Sequence, residues 1–151
     1  MTMIENDTTI YSRCRKAKGY TQEHAAELLG VATRTLASWE TGERPVPNYR
    51  AADMAGIYEN NFLAVQHLRL SAPEIYERIL PPFERVPLAQ AVCQLLAQIR
   101  AIEQARAGDR LLQIAADGRV DEMEATEYGR LMAELEPLIS AVMAIKYAEG
   151  V

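Results

Sequence analysis

Residues 21–42 read TQEHAAELLGVATRTLASWETG, two short helical patterns pinched around a glycine. Thr21 stands where a helix start needs a side-chain oxygen to accept an unpaired backbone N–H. Ala25, Ala26, Leu28 and Leu29 supply the apolar side of the first run. Gly30 permits the positive φ of a tight corner, and Val31 plugs it. The second run turns Leu36 and Trp39 inward, leaves Thr33, Arg34, Thr35 and Ser38 on the opposite side, and stops at Gly42. Small residues where two helices cross, a glycine turn and a short helix with a polar N-terminal face describe a helix-turn-helix. Its second helix is short enough to enter a major groove of DNA.

Working outward, Thr8 and Thr9 can cap a preceding helix that carries Ile10, Tyr11 and Cys14 on one face and ends at Gly19. Downstream, NNFLAVQHLRL reads as a short helix completing the domain. Strict β-type alternation is absent and Ala, Leu, Glu and Arg dominate, so the whole chain reads as all-α. At 151 residues and 49% hydrophobic it can bury a real core. Two cysteines, Cys14 and Cys93, fit neither a disulfide framework nor a zinc cluster, which makes a reducing cytoplasm the expected location. No apolar run reaches the length of a membrane span, and MTMIENDTT does not read as a signal peptide.

The net charge of −5 argues against nucleic acid only at first sight. Binding depends on the local patch, and Arg13, Arg15, Lys16 and Lys18 crowd one short segment, followed by Arg34, Arg44 and Arg50.

Arg15, Gly19, Thr21-Gln22, Ala26, Gly30-Val31, Leu36, Trp39-Glu40 and Gly42 stand together at a characteristic spacing. On these residues the segment from 8 to about 58 resembles the phage repressor/Cro-like helix-turn-helix family, also called the xenobiotic-response-element family of bacterial regulators. The resemblance covers about a third of the chain and implies a five-helix domain that binds double-stranded DNA. It implies base-reading by Thr33, Arg34, Thr35 and Ser38 and backbone contacts from Gln22 and Arg44, and Arg15 and Lys16 of the basic segment are expected on phosphates beside them. It further implies a partly buried ion pair between Arg15 and Glu40, with Trp39 in the core and Cys14 as a small buried hydrophobe. Ala32 departs from the family's usual Ser or Thr, so the recognition helix lacks a good N-cap. His24 and His67 have no Cys or acidic partners at ligand spacing and read as ordinary residues, not metal ligands.

Beyond residue 70 the pattern changes. Pro73, Pro81, Pro82 and Pro87 punctuate a connector with a helical turn or two around Ile75 to Leu80. Leu88, Val92, Leu95, Ile99 and Ile102 then form one heptad-like stripe, and Tyr128, Leu131, Leu135, Leu138, Val142 and Ile145 a second. Two such helices want each other or copies of themselves. Pro137 keeps the phase of the second stripe, which predicts one continuous, kinked helix. Between the stripes, DGRVDEME invites a calcium loop, but Gln113 and Ala115 occupy two positions that should supply oxygen ligands. Asp117-Gly118 is better read as a helix-ending turn and Asp121-x-x-Glu124 as the cap of the next helix. A Cro-like domain followed by an "ADGR" turn and a long Leu/Ala helix is also similar to phage-encoded regulatory proteins.

The expected organisation is a DNA-binding domain at 1–70, a Pro-rich connector at 71–87 and a helical hairpin or bundle for oligomerisation at 88–151. The expected function is sequence-specific transcription regulation of phage or mobile-element type, by a homodimer whose seam includes Val92, Ile99, Leu135 and Val142. The alternative is an adaptor or antitoxin-like module whose acidic helical half binds a partner protein. No nucleophile–base set, phosphate loop or metal cluster is legible, so neither an enzyme nor a cofactor is expected.

Overall fold

The computed structural model describes residues 9–149, and it is all-α, with nine α-helices and no β-strand among the described residues. The helices are α1 (Ile10–Lys18), α2 (Gln22–Leu29), α3 (Thr33–Glu40), α4 (Asn48–Ile57), α5 (Phe62–Ser71), α6 (Pro73–Ile79), α7 (Leu88–Gln104), α8 (Ala107–Ile114) and α9 (Ala125–Lys146). Two compact units divide between Tyr76 and Glu77.

The first unit is built on α1 to α5. Thr9 caps α1 through a long 3.5 Å contact from the Ser12 N–H; Thr8 lies outside the described residues. One core joins Ile10, Tyr11 and Cys14 of α1 to Ala25, Ala26 and Leu29 of α2 and Leu36 and Trp39 of α3, with Met54 and Leu63 closing it from α4 and α5. Leu28, expected on the apolar side of α2, is largely exposed. Across the core, His67 of α5 bonds to the Tyr11 hydroxyl of α1 at 2.8 Å and to Asn48 Oδ1 of α4 at 2.9 Å. The Asn48 oxygen accepts, so Nε2 carries the proton and the Tyr11 hydroxyl donates to Nδ1. His67 is buried, which lowers its pKa by desolvation and keeps the ring neutral in this geometry.

The second unit begins in the last turn of α6 and continues as an extended strap, residues 80–87, that holds Pro81, Pro82 and Pro87. Val86 and Phe83 are buried. The Val86 carbonyl accepts from the Glu149 N–H at 3.0 Å, Arg85 Nε donates to the Tyr147 carbonyl at 2.9 Å, and the Ser140 hydroxyl donates to the Pro82 carbonyl at 2.9 Å. Helices α7 and α9 meet through small residues: Ala91, Ala144 and Ala148 are buried with Val86, and Ile145 packs against them. Of the expected seam residues, Leu135 is half-buried, while Val92, Ile99 and Val142 stay exposed.

The first stripe does not continue as one helix into the turn. After α7 the chain breaks at Arg106, whose φ of 51° is left-handed, and restarts as α8. Ala107 and Ile114 of α8 bury against Leu131 of α9. Arg110 crosses the same contact, donating to Glu127 at 2.8 Å and Glu134 at 2.7 Å. Gly118 takes φ 76°, and the Asp117 carboxylate accepts from the Arg119 N–H. The Asp121 carboxylate accepts from the Met123 and Glu124 N–H groups while Glu124 accepts from the Asp121 N–H, a reciprocal cap. Helix α9 runs unbroken through Pro137.

Candidate nucleic-acid interface

The turn between α2 and α3 is built by its own backbone. The Thr21 hydroxyl accepts from the His24 N–H at 3.1 Å, fixing the start of α2. At the other end Gly30 adopts φ 65°, and the N–H groups of Gly30 and Val31 return to the carbonyls of Glu27 and Ala26. That double closure satisfies the last carbonyls of α2 and throws the chain into α3. Arg50 of α4 adds a side-chain bond to the Leu29 carbonyl at 2.9 Å. Ala32 makes no side-chain cap to α3, as its lack of a hydroxyl requires.

Behind α3 lies a polar network. Arg15 Nε and one terminal nitrogen grip the two Glu40 oxygens at 2.6 and 2.9 Å, and its other terminal nitrogen donates to the Tyr20 carbonyl at 2.6 Å. Gln22 donates its amide to Glu40 at 2.8 Å, and the Thr9 hydroxyl donates to the Glu40 carbonyl at 2.9 Å. Arg15 and Glu40 are 6% and 3% exposed, so the pair is deep inside the domain. Its hydrogen bonds to Glu40 outweigh desolvation and raise the Arg15 pKa, which keeps the guanidinium charged. The neighbouring Tyr58 hydroxyl is buried without a hydrogen-bond partner among the described residues, and burial, reinforced by the Glu40 charge, pushes its pKa up to about 12.

The network sorts the residues expected to touch DNA. Each guanidinium nitrogen of Arg15 is engaged inside the domain, so the expected phosphate contact would have to compete with Glu40 and the Tyr20 carbonyl. Gln22 is half-buried and commits its amide nitrogen to Glu40. Ser38, expected to read bases, is buried, and its hydroxyl donates to the Thr35 carbonyl at 2.8 Å. Thr33 and Thr35 are half-buried at the start of α3, and Arg34 between them is exposed. Lys16 and Arg44 are exposed, and so is Arg13, which the crowded basic segment contains but which the family spacing did not single out. Lys18 is committed to Glu59 at 2.5 Å and Arg50 to Leu29 and Asp53. The geometry thus leaves Arg13, Lys16, Arg34 and Arg44 as exposed cations with no ion pair among the described residues.

Among the described residues no group of three or more His, Cys, Asp or Glu could hold a metal ion, and no helix is long and apolar enough to cross a membrane. No curated protein and no solved structure matches the chain. A helix-turn-helix family model matches residues 12–59, from the body of α1 to just past α4, and the likeness of that segment supports a DNA-binding regulator.

Proposed function

We propose that the chain is a sequence-specific transcription regulator of phage or mobile-element type that acts as a dimer. The observation that carries this reading is the division of labour in α3. Leu36, Trp39 and Glu40 lock its inner side, while Arg34 stands exposed at its N-terminal end between Thr33 and Thr35. In this reading α3 enters the major groove, Arg34 reads a base edge, Thr33 and Thr35 contact bases or sugar, and Arg13, Lys16 and Arg44 hold phosphates. One small domain discriminates weakly, and two across a symmetric site multiply the discrimination. The exposure of Val92, Ile99 and Val142 supports a role for the second unit in pairing. The phage-type attribution rests on the resemblance of the α8–turn–α9 arrangement to phage regulatory proteins.

The test is selection of bound duplexes from a random-sequence library by the full chain. Enrichment of one two-fold symmetric motif is the expected result. Recovery of unrelated sequences, or of none, would sink the reading and favour the adaptor alternative, in which the acidic helices bind a partner protein.

A further inference from the structure

Between its strap and the α7–α9 pair the second unit holds an open groove of about 610 Å³. That is the volume of a site for a small organic molecule, about 300–1,000 Å³. Three buried residues give the groove an apolar lining: Ala141 and Ala144 of α9, and Phe83 of the strap, which stacks on Tyr147 at 5.9 Å between ring centroids.

Every charged side chain that lines the groove is acidic: Glu84 of the strap and Glu136 of α9. The Ser140 hydroxyl, donating to the Pro82 carbonyl at 2.9 Å, ties the strap to α9 between them. Glu84 stands two residues along the strap from that tie, about 7 Å of extended chain. Glu136 stands one turn back along α9, a rise of about 6 Å. Both are exposed, and neither has an ion pair among the described residues. Arg85, next to Glu84, gives its Nε to the Tyr147 carbonyl.

The remaining polar groups of the groove are rich in acceptors. Pro81, Pro82 and Pro137 line it and have no N–H to offer. Pro137 also leaves the carbonyl of Ala133, four residues back and itself a lining residue, without its ordinary helical donor. From α7, the carboxamides of Gln94 and Gln98 can present their oxygens.

A ligand that matches this lining carries positive charge and N–H donors at one end and an apolar body at the other. Glu84 and Glu136 would repel an anion, and a neutral molecule would gain nothing from their charge. The unit as a whole holds 12 acidic against 8 basic side chains over residues 77–151, which draws cations toward it. We infer that the groove binds a small organic ammonium ion. Its N–H groups meet Glu84, Glu136 and the Ala133 carbonyl, and its apolar body lies on Phe83, Ala141 and Ala144. Held by both carboxylates, the ligand bridges the strap to α9 and reinforces the Ser140–Pro82 tie. The site lies wholly within the second unit and stands whether or not the first unit selects a DNA motif.

Calorimetric titration of the full chain with probes of similar shape tests this: 2-(1-naphthyl)ethylammonium, the neutral 2-(1-naphthyl)ethanol and the anion 1-naphthylacetate. The ammonium should bind about tenfold more tightly than the alcohol, the margin of one charge-assisted hydrogen bond, and the anion should not bind. Glu84→Gln combined with Glu136→Gln keeps the side-chain shapes and should bring the ammonium down to the affinity of the alcohol. Glu122→Gln, which removes an exposed charge outside the groove, should leave binding unchanged. A wild type that fails to bind the ammonium or binds the three probes alike would overturn the inference, as would a double variant that binds like the wild type. Should the double variant lose helical circular dichroism, methyl NMR of the wild type titrated with the ammonium decides instead. Shifts centred on Ala133, Ala141 and Ala144 support the site, and shifts centred elsewhere refute it.

Discussion

Arg15 buries its guanidinium against Glu40, whereas Arg34 leaves its own to solvent, and the difference sets what each substitution does. Arg34→Ala should leave melting unchanged. On the selected site it should cost about 1–3 kcal/mol of binding and relax preference at one base pair; an equal loss on every sequence would make Arg34 a phosphate contact. Glu40→Ala acts in the opposite place. It strands a buried guanidinium and removes the acceptor of Gln22, so the first unit should lose about 3–5 kcal/mol of stability, read as a lowered denaturation midpoint. His67 adds a pH dependence. Its folded pKa lies below the unfolded value near 6.5, so protons favour the unfolded chain. Its contribution is intact above about pH 6.5 and falls away as pH drops toward the folded value. Comparing melts of wild type and His67→Gln across that window isolates this slope from the carboxylates; parallel curves would show that His67 is not its source. Arg15 and Glu40 were legible as a pair through the family resemblance, but Gln22 joining them was not, because a phosphate-facing and an inward-facing carboxamide look alike in sequence.

At the scale of elements, the glycines divide by backbone angle. Gly30 ends α2 at φ 65° with open space where a Cβ would go, so Gly30→Ala meets no clash and pays only the left-handed strain, roughly 1–2 kcal/mol. Gly129 lies inside α9, also with nothing near a built Cβ. There Ala should stabilise by about 0.5–1 kcal/mol. Thermal melts of the two variants should move in opposite directions, and a shared direction would contradict the assigned helix ends. The helix-turn-helix was readable because its signals are local: a capping threonine, a glycine corner and inward Leu and Trp. The second unit was only half readable. Its apolar stripes announce helices, but Ala91 of α7 and Ala144 of α9 bury together with Ala148 just past α9, residues too common and too weakly apolar to stand out in a pattern. The break at Arg106 had no local signal either, since a left-handed arginine looks like any other in the sequence.

For the whole molecule, the net charge of −5 conceals three exposed cations in the helix-turn-helix, Arg13, Lys16 and Arg44, which the proposed reading sets on phosphates. Three such contacts predict that log K falls against log salt with a slope of about −3 per helix-turn-helix unit. Fluorescence anisotropy over a salt series reads it directly, and a flat response would mean that these cations do not meet phosphates. The bond between Val86 and Glu149 has a different consequence. It holds the first and last segments of the second unit side by side, so the order in which its helices are strung is not dictated by where its ends lie. A short linker from 149 to 86, with new termini opened at the exposed Asp117-Gly118 turn, should yield a circular permutant with the same helix packing. The same adjacency would let the stretch from Val86 to Glu149 be spliced into a surface loop of an unrelated host, since those two residues lie at nearly one point.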